Sequence, residues 1–582
     1  MDPTRRCDAT AVAGGVAWVA VSALADVGIV TAAVLLAVVA LVPAALPLAA
    51  TPRRDGTHAL PYRWATLALA PAAALFAAST LVARGPFAAA LALPWVGVAL
   101  LLAWFGLWRL LPRGLGPVEE TLLDAGLLYL PVGALAAVAY RLDLGLGYGL
   151  VVVHLTAAHY HYATFLLPVV AAALGRHLDD DRTRRPFRVV AVVLVVGVPL
   201  VAAGITASPP LEAVAATGFA VAVVAVAALF GRTAVSVRET DQGAAALLAV
   251  AAVSVTLGMA LAVAYAVGQW TGPRVVGIAE MVPTHGVLNA LGFALPAVLA
   301  WRHLDPASRA RPPGIPFDTR VARGRVGPDY ADRTDLAGEA LPGQIDEMAR
   351  YAGDDFDPAA LDDRVGRFYE RTVEYRLTYR ARWHRPFRWG AGLAMAVTRR
   401  VEQLNLPTDG AVHEMVGRCP RLAAGDPRQT PRFWIRTDPG TGEGVFVATY
   451  GVHERDGTAY MNIGLPLPGA NLSAVLVPAN VGSGLELSSV PGRGGGSPGT
   501  GAGADRQGDA GLYLVVPRLG PVRLPVYERF RVWPADDPEA PAPPDDGAYG
   551  LTATHEMWLL GRRFLTIAYG ISRDEALAFA DG

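Results

Sequence analysis

Histidine and tyrosine side chains are concentrated in one short stretch of an otherwise apolar run. Between residues 154 and 162 the chain contains His154, His159, Tyr160, His161 and Tyr162. A second polar group, in a later apolar run, comprises Thr284, His285 and Asn289. Neutral imidazole binds metal ions and exchanges protons near neutral pH, so both stretches contain residues that could perform chemistry.

Both stretches lie in segments that are long and apolar enough to cross a membrane. Residues 10–303 are almost continuously apolar. They contain repeated runs of about 18 to 25 residues, the length that a helix needs to span the hydrocarbon core. We therefore predict an all-α polytopic transmembrane helical bundle over residues 1–303. About ten spans are expected, near residues 10–25, 28–50, 64–83, 87–111, 120–140, 146–175, 188–206, 211–231, 243–268 and 277–301.

Arginine residues are distributed unequally between the predicted connections. Alternate connections contain clusters of arginine, whereas the others contain one each, namely Arg84, Arg141 and Arg274. Positive charge favours the cytoplasmic side of a membrane, so both termini and the C-terminal domain are predicted to be cytoplasmic. If residues 10–50 formed one helix instead of two, there would be nine spans and the N-terminus would lie outside.

The helical period adds a geometric prediction. His154 and His161 are seven residues apart and share a face, as do His285 and Asn289 at a spacing of four, whereas His159 and His161 point to nearly opposite sides. The sixth and tenth spans both run inward, so the two polar stretches are expected at one depth, in the outer half of the membrane. They are predicted to meet in one intramembrane site.

Three carboxylates, Glu119, Glu120 and Asp124, fall at the inner end of the fifth predicted span. Ionisable residues inside a membrane are costly and usually mark functional sites. These three residues therefore predict a second, inner acidic site.

Four interpretations of the histidine-rich site remain open. In the first, the histidines only join helices by hydrogen bonds. In the second, the site binds a heme or a transition-metal ion through His154, His159, His161 and His285. In the third, a proton- or ion-coupled transporter uses the histidines as a relay and the carboxylates as an inner gate. The fourth is an isoprenoid- or lipid-modifying enzyme, and the sequence alone does not decide whether the protein is an enzyme.

Two motifs resemble the YndJ-like family of multi-pass membrane proteins. They are the His-aromatic-His-Tyr-Ala motif at His159–Ala163 and the Thr-His-Gly-x-x-Asn-Ala-x-Gly-Phe motif at Thr284–Phe293. The resemblance extends over about residues 10–303 and implies membrane location and a pairing of the two motifs, but no particular reaction. Residues 158–162 also resemble a stretch of heme–copper oxidase subunit I in which paired histidines ligate two hemes, although the other histidine motifs of that family do not occur here.

The composition changes after residue 303. Residues 304–345 are rich in Pro, Gly, Arg and Asp and are predicted to be a linker. Residues 346–582 predict a soluble α+β domain, helical up to about residue 407 and then mostly antiparallel β, with flexible inserts at 491–511 and 534–547. Its aromatic-rich strands suggest a barrel or half-barrel with an apolar pocket.

Charge and composition restrict the partners of the chain. The formal net charge is −1 and no basic stripe is present, which argues against nucleic acid. The two cysteines, Cys7 and Cys419, are too few for a disulfide framework. The predicted partners are the lipid bilayer and an unidentified small molecule or lipid.

Overall fold

The computed structural model describes residues 2–53, 55–272, 276–310, 314–423, 425–490 and 508–578. The chain divides into two compact units, Met1–Pro312 and Pro313–Gly582. The first unit is helical, and the second is built around a β-sheet.

Ten long helices occur in the described part of the first unit. They are α1 (Pro3–Leu24), α2 (Ile29–Ala49), α3 (Leu60–Thr80), α4 (Pro86–Arg113), α5 (Val118–Arg141), α6 (Leu150–His177), α7 (Asp181–Ala207), α8 (Pro209–Val237), α9 (Gln242–Thr271) and α10 (Ile278–Leu304). All of them except α3 are long and apolar enough to cross a membrane. The predicted multi-span helical region is confirmed, with nine such helices among the described residues where ten were expected. Residues 10–50 form two helices, α1 and α2, rather than one.

Small residues allow close approach between neighbouring helices. A Cβ atom at Gly14 would lie 1.8 Å from the Val39 carbonyl oxygen, so α1 and α2 touch backbone to backbone. At Gly292 of α10 a Cβ atom would lie 2.5 Å from Ser254 Oγ of α9. Such contacts at small residues are the usual way in which helices pack inside lipid.

Three helices contain a widened π-helical turn. These turns are Ala37–Leu41 in α2, Tyr162–Leu166 in α6 and Leu288–Ala294 in α10. A π-helical turn inserts one extra residue and shifts the face that the following residues present, and such turns are frequent at functional sites. Two of the three lie at the polar stretches of α6 and α10.

Residues of the predicted linker belong to the two units. Arg309 forms hydrogen bonds with Glu119 and Glu120 of the helical unit. Val326 and Tyr330 are buried in the second unit against Phe433. Residues 337–341 form a strand. The two compact units divide at residues 312 and 313, inside the predicted linker.

The described part of the second unit contains thirteen strands. They are β1 (Ala337–Leu341), β2 (Tyr375–Trp383), β3 (Val412–Leu422), β4 (Gln429–Thr437), β5 (Gly444–Arg455), β6 (Thr458–Leu467), β7 (Ala470–Val481), β8 (Gly484–Ser488), β9 (Gly511–Val516), β10 (Gly520–Arg523), β11 (Val526–Pro534), β12 (Leu551–Leu559) and β13 (Arg562–Arg573). Four helices accompany them, namely α11 (Tyr330–Arg333), α12 (Asp363–Glu370), α13 (Arg388–Val401) and α14 (Glu575–Ala578).

Ten of these strands close into an antiparallel barrel. Its order is β2, β3, β4, β5, β6, β7, β8, β11, β12 and β13, and β13 pairs again with β2. Strand β1 pairs with β3, and β9 and β10 extend the sheet from β7. Closure removes most exposed strand edges. The interior holds a cluster of buried apolar residues, to which α12 contributes Val365, Phe368 and Tyr369.

One local expectation for this unit differs from the structure. Residues 346–407 are not one helical region, because β2 lies between α12 and α13. Its alternating buried residues Leu377, Tyr379 and Ala381 face the barrel core, which is the strand period. Of the two expected inserts, residues 491–507 lie outside the described residues. Residues 534–547 form an irregular loop in which Asp537 accepts a hydrogen bond from Ser483.

Candidate functional site

The histidine-rich stretch of α6 packs against α5 with a period of seven residues. Tyr140 stacks on His154, with ring centroids 3.6 Å apart. Seven residues earlier on α5, a Cβ atom at Gly133 would lie 2.9 Å from His161 Nδ1, and at Gly126 it would lie 3.2 Å from Pro168. The two antiparallel helices thus meet at regular contacts two turns apart. His154 and His161 share the face toward α5, as their spacing predicts.

His161 is fully buried, and both of its ring nitrogens are engaged. Nδ1 lies 2.7 Å from the Ala157 carbonyl oxygen, and Trp95 Nε1 donates to Nε2 at 3.0 Å. A carbonyl can only accept and an indole N–H can only donate, so this imidazole is neutral, with its proton on Nδ1. In this arrangement His161 joins α4 to α6 and has no nitrogen left for a metal ion.

His154 faces a different group of helices. Its Nε2 lies 3.4 Å from Thr31 Oγ1 of α2. The adjoining cavity, lined by residues that include Phe76, Thr80 and Arg141, has a volume of about 10 Å³. That volume holds at most about one water molecule, so this end of α6 has no room for a heme or an organic solute.

His159 points away from His161 and meets His285 of α10. Their ring centroids are 6.4 Å apart. His159 Nδ1 lies 2.8 Å from the Leu155 carbonyl oxygen, and His285 Nδ1 lies 2.8 Å from the Gly258 carbonyl oxygen of α9. Each Nδ1 therefore carries the proton, and each Nε2 carries a lone pair. In the part of the chain that the structure describes, neither Nε2 atom has a hydrogen-bond partner.

The other residues of the Thr284–Phe293 motif hold His285 in place. Asn289 Nδ2 donates to the His285 carbonyl oxygen at 2.8 Å. The Asn289 amide also packs on Gly258, where a Cβ atom would lie 2.6 Å from Nδ2. Asn289 and His285 thus contact the same residue of α9, in agreement with their shared face. Thr284 is exposed and bonds to the Glu280 carbonyl oxygen of its own helix.

The two tyrosines of the stretch have separate contacts. The Tyr162 hydroxyl donates to the Ala33 carbonyl oxygen of α2 at 2.8 Å. The Tyr160 ring lies edge-on to Tyr129 of α5, with centroids 6.3 Å apart. These contacts position α6 between α2 and α5. Neither tyrosine takes part in the contact between His159 and His285.

The four intramembrane histidines therefore occupy three environments. His154 contacts α2 and α5, His161 contacts α4 and α5, and only His159 meets His285. Across residues 2–578, leaving out the undescribed stretches, no three His, Cys, Asp or Glu side chains are placed to share a metal ion. The expected meeting of the two motifs is carried by a single pair.

The three inner carboxylates lie together but are not free acids. Glu120 accepts two bonds from Arg176 at 2.8 Å and one from Arg109 at 2.6 Å. Asp124 pairs with Arg109 at 2.6 Å and with Arg113 at 2.5 Å. Glu119 pairs with Arg309 at 2.7 Å. All three carboxylates are buried, and their oxygens face guanidinium groups.

The same arginines also hold the end of α2. Arg109 donates to the Ala49 carbonyl oxygen at 2.6 Å, and Arg176 donates to the Leu48 carbonyl oxygen at 2.7 Å. The last carbonyl groups of a helix have no partner within the helix, and cations stabilise that end. The network connects α2, α4, α5 and α6. We call it a structural clamp because its bonds hold these four helix ends together.

Sequence reasoning missed the partners that decide these roles. The sequence indicates Arg109, Arg113 and Arg176 only as positive charge near connections, although they are buried in ion pairs. Trp95 gave no signal, because a tryptophan in an apolar span is usual. One signal was available for the arginines, since each lies at a helix end near Glu119, Glu120 or Asp124.

The fold and the clusters define a class: a multi-pass membrane protein in which a helical bundle is followed by an antiparallel β-barrel. The family described as YndJ-like protein matches residues 32–293. The chain is also 29% identical over 552 residues, 94% of each chain, to a protein of Bacillus subtilis (strain 168) that is named uncharacterized membrane protein YndJ. Residues 32–293 thus match the YndJ-like family, and the expected resemblance to this family is confirmed. No solved structure matches the chain.

Proposed function

We propose that His159 and His285 are the functional centre of this membrane protein and bind a divalent transition-metal ion. One observation carries the proposal. Both imidazoles donate Nδ1–H to backbone carbonyls and leave the Nε2 lone pair open, on two helices whose rings are 6.4 Å apart. A metal-binding histidine is usually oriented by such a bond from its other nitrogen.

The distance between the rings is compatible with a shared ion. A metal–nitrogen bond is about 2 Å long, so two imidazoles on opposite sides of one ion have centroids about 6 Å apart. Two protein ligands leave positions for water or for a transported or transformed molecule, as in an open metal site. His154 and His161, which the sequence suggested as further ligands, are left out of this proposal because their nitrogens face other helices.

Metal titration of the purified full chain in nanodiscs tests the proposal. Co²⁺ is the probe, followed by its visible absorption and by elemental analysis. The wild type is expected to bind one equivalent that Zn²⁺ displaces, and His159→Gln and His285→Gln are each expected to lose it. His154→Gln is the matched control, because it removes an imidazole of the same helix. Absence of Co²⁺ binding in the wild type, or unchanged binding in His159→Gln, would overturn the metal site.

Proton-coupled transport is the second candidate, and it uses the same pair. A proton is the smallest cation that an open Nε2 atom accepts, and the side chain of His159 is exposed at the surface of the helical unit. This candidate predicts proton uptake into proteoliposomes. His159→Gln is expected to abolish that uptake while the variant still folds in the absence of Co²⁺. The arginine-paired inner carboxylates give it no separate acidic gate.

The proposed topology has ten spans, with both termini and the C-terminal domain in the cytoplasm. It includes α3, which is 21 residues long and less apolar than the others. Alkaline phosphatase is active only after export, so fusions test each connection. A fusion in the connection after α5 is expected to be active, and one after residue 310 inactive. An active fusion after residue 310 would reverse the assignment.

A further inference from the structure

The barrel interior contains a guanidinium group without an anionic partner. Arg436 lies two residues after Trp434 on β4, so both side chains face the barrel core. Its guanidinium carbon lies 4.1 Å from the Trp434 ring centroid and 4.3 Å from that of Phe446. Within the described parts of the chain, Arg436 makes no ion pair, and its buried Nε has no hydrogen-bond acceptor.

Three tyrosine hydroxyls face the same space and are also unpartnered. Tyr379, Tyr450 and Tyr569 are 2%, 5% and 3% exposed. Tyr379 lies opposite Tyr569 in the pairing of β2 with β13, and their rings are 6.2 Å apart. The structure shows no hydrogen bond from any of the three hydroxyls to a described residue. A tyrosine hydroxyl without a protein partner can donate a hydrogen bond to a ligand that enters this space.

The protonation state of these hydroxyls makes them donors. Burial raises the pKa of Tyr379 and of Tyr450 to about 12, and it raises the pKa of Tyr569 as well. The positive charge of Arg436 acts on all three groups and opposes the rise. The hydroxyls therefore stay protonated at neutral pH and can donate to an anion beside Arg436.

The neighbouring carboxylate does not fill this role. Glu528, which also faces the core, pairs with His555 at a distance of 3.0 Å. Further lining is apolar and partly buried, and it comprises Trp383, Phe530, Met557 and Phe564. An unpaired cation next to an apolar wall matches a ligand with an anionic head and an apolar body.

The barrel end nearest Arg436 also bears an apolar surface. Helix α13 connects β2 to β3 at this end, and Trp389, Leu393 and Val397 are 88%, 76% and 60% exposed. Their spacing of four residues places them on one helix face. An exposed apolar helix face of this kind is typical of contact with lipid or apolar molecules.

We propose that the barrel interior binds an anionic amphiphile, a molecule with one oxyanion group and an apolar body, through Arg436 and the hydroxyls of Tyr379, Tyr450 and Tyr569. The oxyanion is a carboxylate or a phosphate, which share the geometry that a guanidinium recognises. This site is independent of the histidine pair.

Calorimetric titration of the full chain in nanodiscs tests the site with four probes: octyl phosphate, octanoate, octanol and inorganic phosphate. One octyl phosphate or octanoate per chain is expected to bind the wild type. Arg436→Gln is expected to weaken that binding at least about tenfold, because charge-assisted bonds are the strong ones. The double variant Tyr450→Phe/Tyr569→Phe is expected to weaken it severalfold. Whichever of the two amphiphiles binds more tightly identifies the head group.

Arg531→Gln is the matched control. Arg531 lies on β11 with its side chain outside the barrel, where it pairs with Glu486. Wild-type binding is expected in this variant. Equal binding by Arg436→Gln and wild type, or octanol binding as tightly as octyl phosphate, would overturn the proposal. Inorganic phosphate binding as tightly as octyl phosphate would overturn the apolar part. Arg436→Gln is expected to lower the melting temperature only slightly, since Arg436 makes no ion pair and its charge contacts only the Trp434 and Phe446 rings.

Discussion

The inner arginine–carboxylate network and the His159–His285 pair are two polar clusters in one helical unit, and they differ in how completely their atoms are satisfied. In the network, Glu120 receives bonds from Arg109, Arg176 and the Arg309 backbone. In the pair, each imidazole has one nitrogen engaged and one open. A closed cluster in low dielectric stabilises a structure, and an open one has capacity to bind.

The barrel repeats this contrast. Asp426 accepts bonds from Arg428 and Arg320, and these groups form a closed ion-pair cluster with Asp318. Arg436, by comparison, has no anionic partner in the described residues and contacts only the rings of Trp434 and Phe446. The type of a polar residue therefore does not separate structural from functional roles in either unit. Variants of closed clusters should change stability, and variants of open groups should change binding.

The largest expected effect is on the inner network. Glu120→Gln removes the charge that faces two buried guanidinium groups, and breaking a buried ion pair costs about 3 to 5 kcal/mol. The variant is expected to melt far below the wild type in heat-challenge size-exclusion chromatography. Asp181→Asn breaks an exposed pair with Arg185 and should cost less than about 1 kcal/mol. A wild-type melting temperature for Glu120→Gln would mean that the network is not a clamp and that its carboxylates are free for a gate.

The contact between α5 and α6 gives the next effect. In Gly133→Ala the new Cβ atom would lie 2.9 Å from both His161 Nδ1 and Tyr160 Cβ. Overpacking of this kind costs about 1 to 3 kcal/mol. Gly97→Ala is the control, because nothing lies within 4 Å of its Cβ position. The unfolding free energy is expected to fall only for Gly133→Ala, and equal values for the two variants would show that this helix contact is loose.

Part of this arrangement could be predicted from the sequence. Hydropathy and length predicted the helical bundle, and the spacing of His159 and His161 predicted that they face different helices. Whether all four histidines share one site could not be predicted from the sequence, because long-range packing decides which helices are neighbours. The π-helical turn at Tyr162–Leu166 also changes the helix face on which the following residues lie, and no local sequence pattern predicts this turn.

The barrel shows the same limit. Alternation predicts the strands from residue 432 onward, but the sequence predicts helix at β2 because β2 directly follows a short helical segment. Closure depends on the pairing of β13 with β2, which are far apart in the chain, and on β7, which pairs with β8 as well as with β6. The sequence does not indicate that Arg436 lacks an anionic partner, since an arginine in a strand normally contacts a carboxylate or water.

The two histidines of the His159–His161 motif should behave in opposite ways. His161→Phe leaves the buried Trp95 N–H without an acceptor, which costs about 1 to 3 kcal/mol. His159→Phe removes a side chain that is exposed, so the unfolding free energy should change by less than about 0.5 kcal/mol. Chemical unfolding followed by tryptophan fluorescence measures both. Equal losses of stability would remove the distinction between the closed and the open imidazole.

The last prediction concerns the pH dependence of the closed cluster of the barrel, which is only part of the stability that its ion pairs contribute. Burial alone would raise the pKa of Asp426, but hydrogen bonds and the charge of Arg428, with a further bond from Arg320, lower it below 3.8. A carboxyl group whose pKa is lower in the folded state stabilises the fold above its unfolded pKa. That contribution is lost as the pH falls through the folded-state pKa.

Asp426→Asn cannot titrate at this position, so it loses the contribution at every pH. The variant is expected to melt below the wild type near pH 6, and the difference should narrow as the pH falls below the unfolded-state pKa of about 4 and the wild-type carboxylate takes up its proton. Melting curves of the barrel at a series of pH values measure this. Glu339→Gln, which removes an exposed partner of Arg421, is the control and should lie close to the wild type throughout. A difference in melting temperature between Asp426→Asn and wild type that stays constant with pH would show that the carboxylate acts through packing rather than through its charge. The cluster would then not be a closed ionic network, and the contrast with Arg436 would fail.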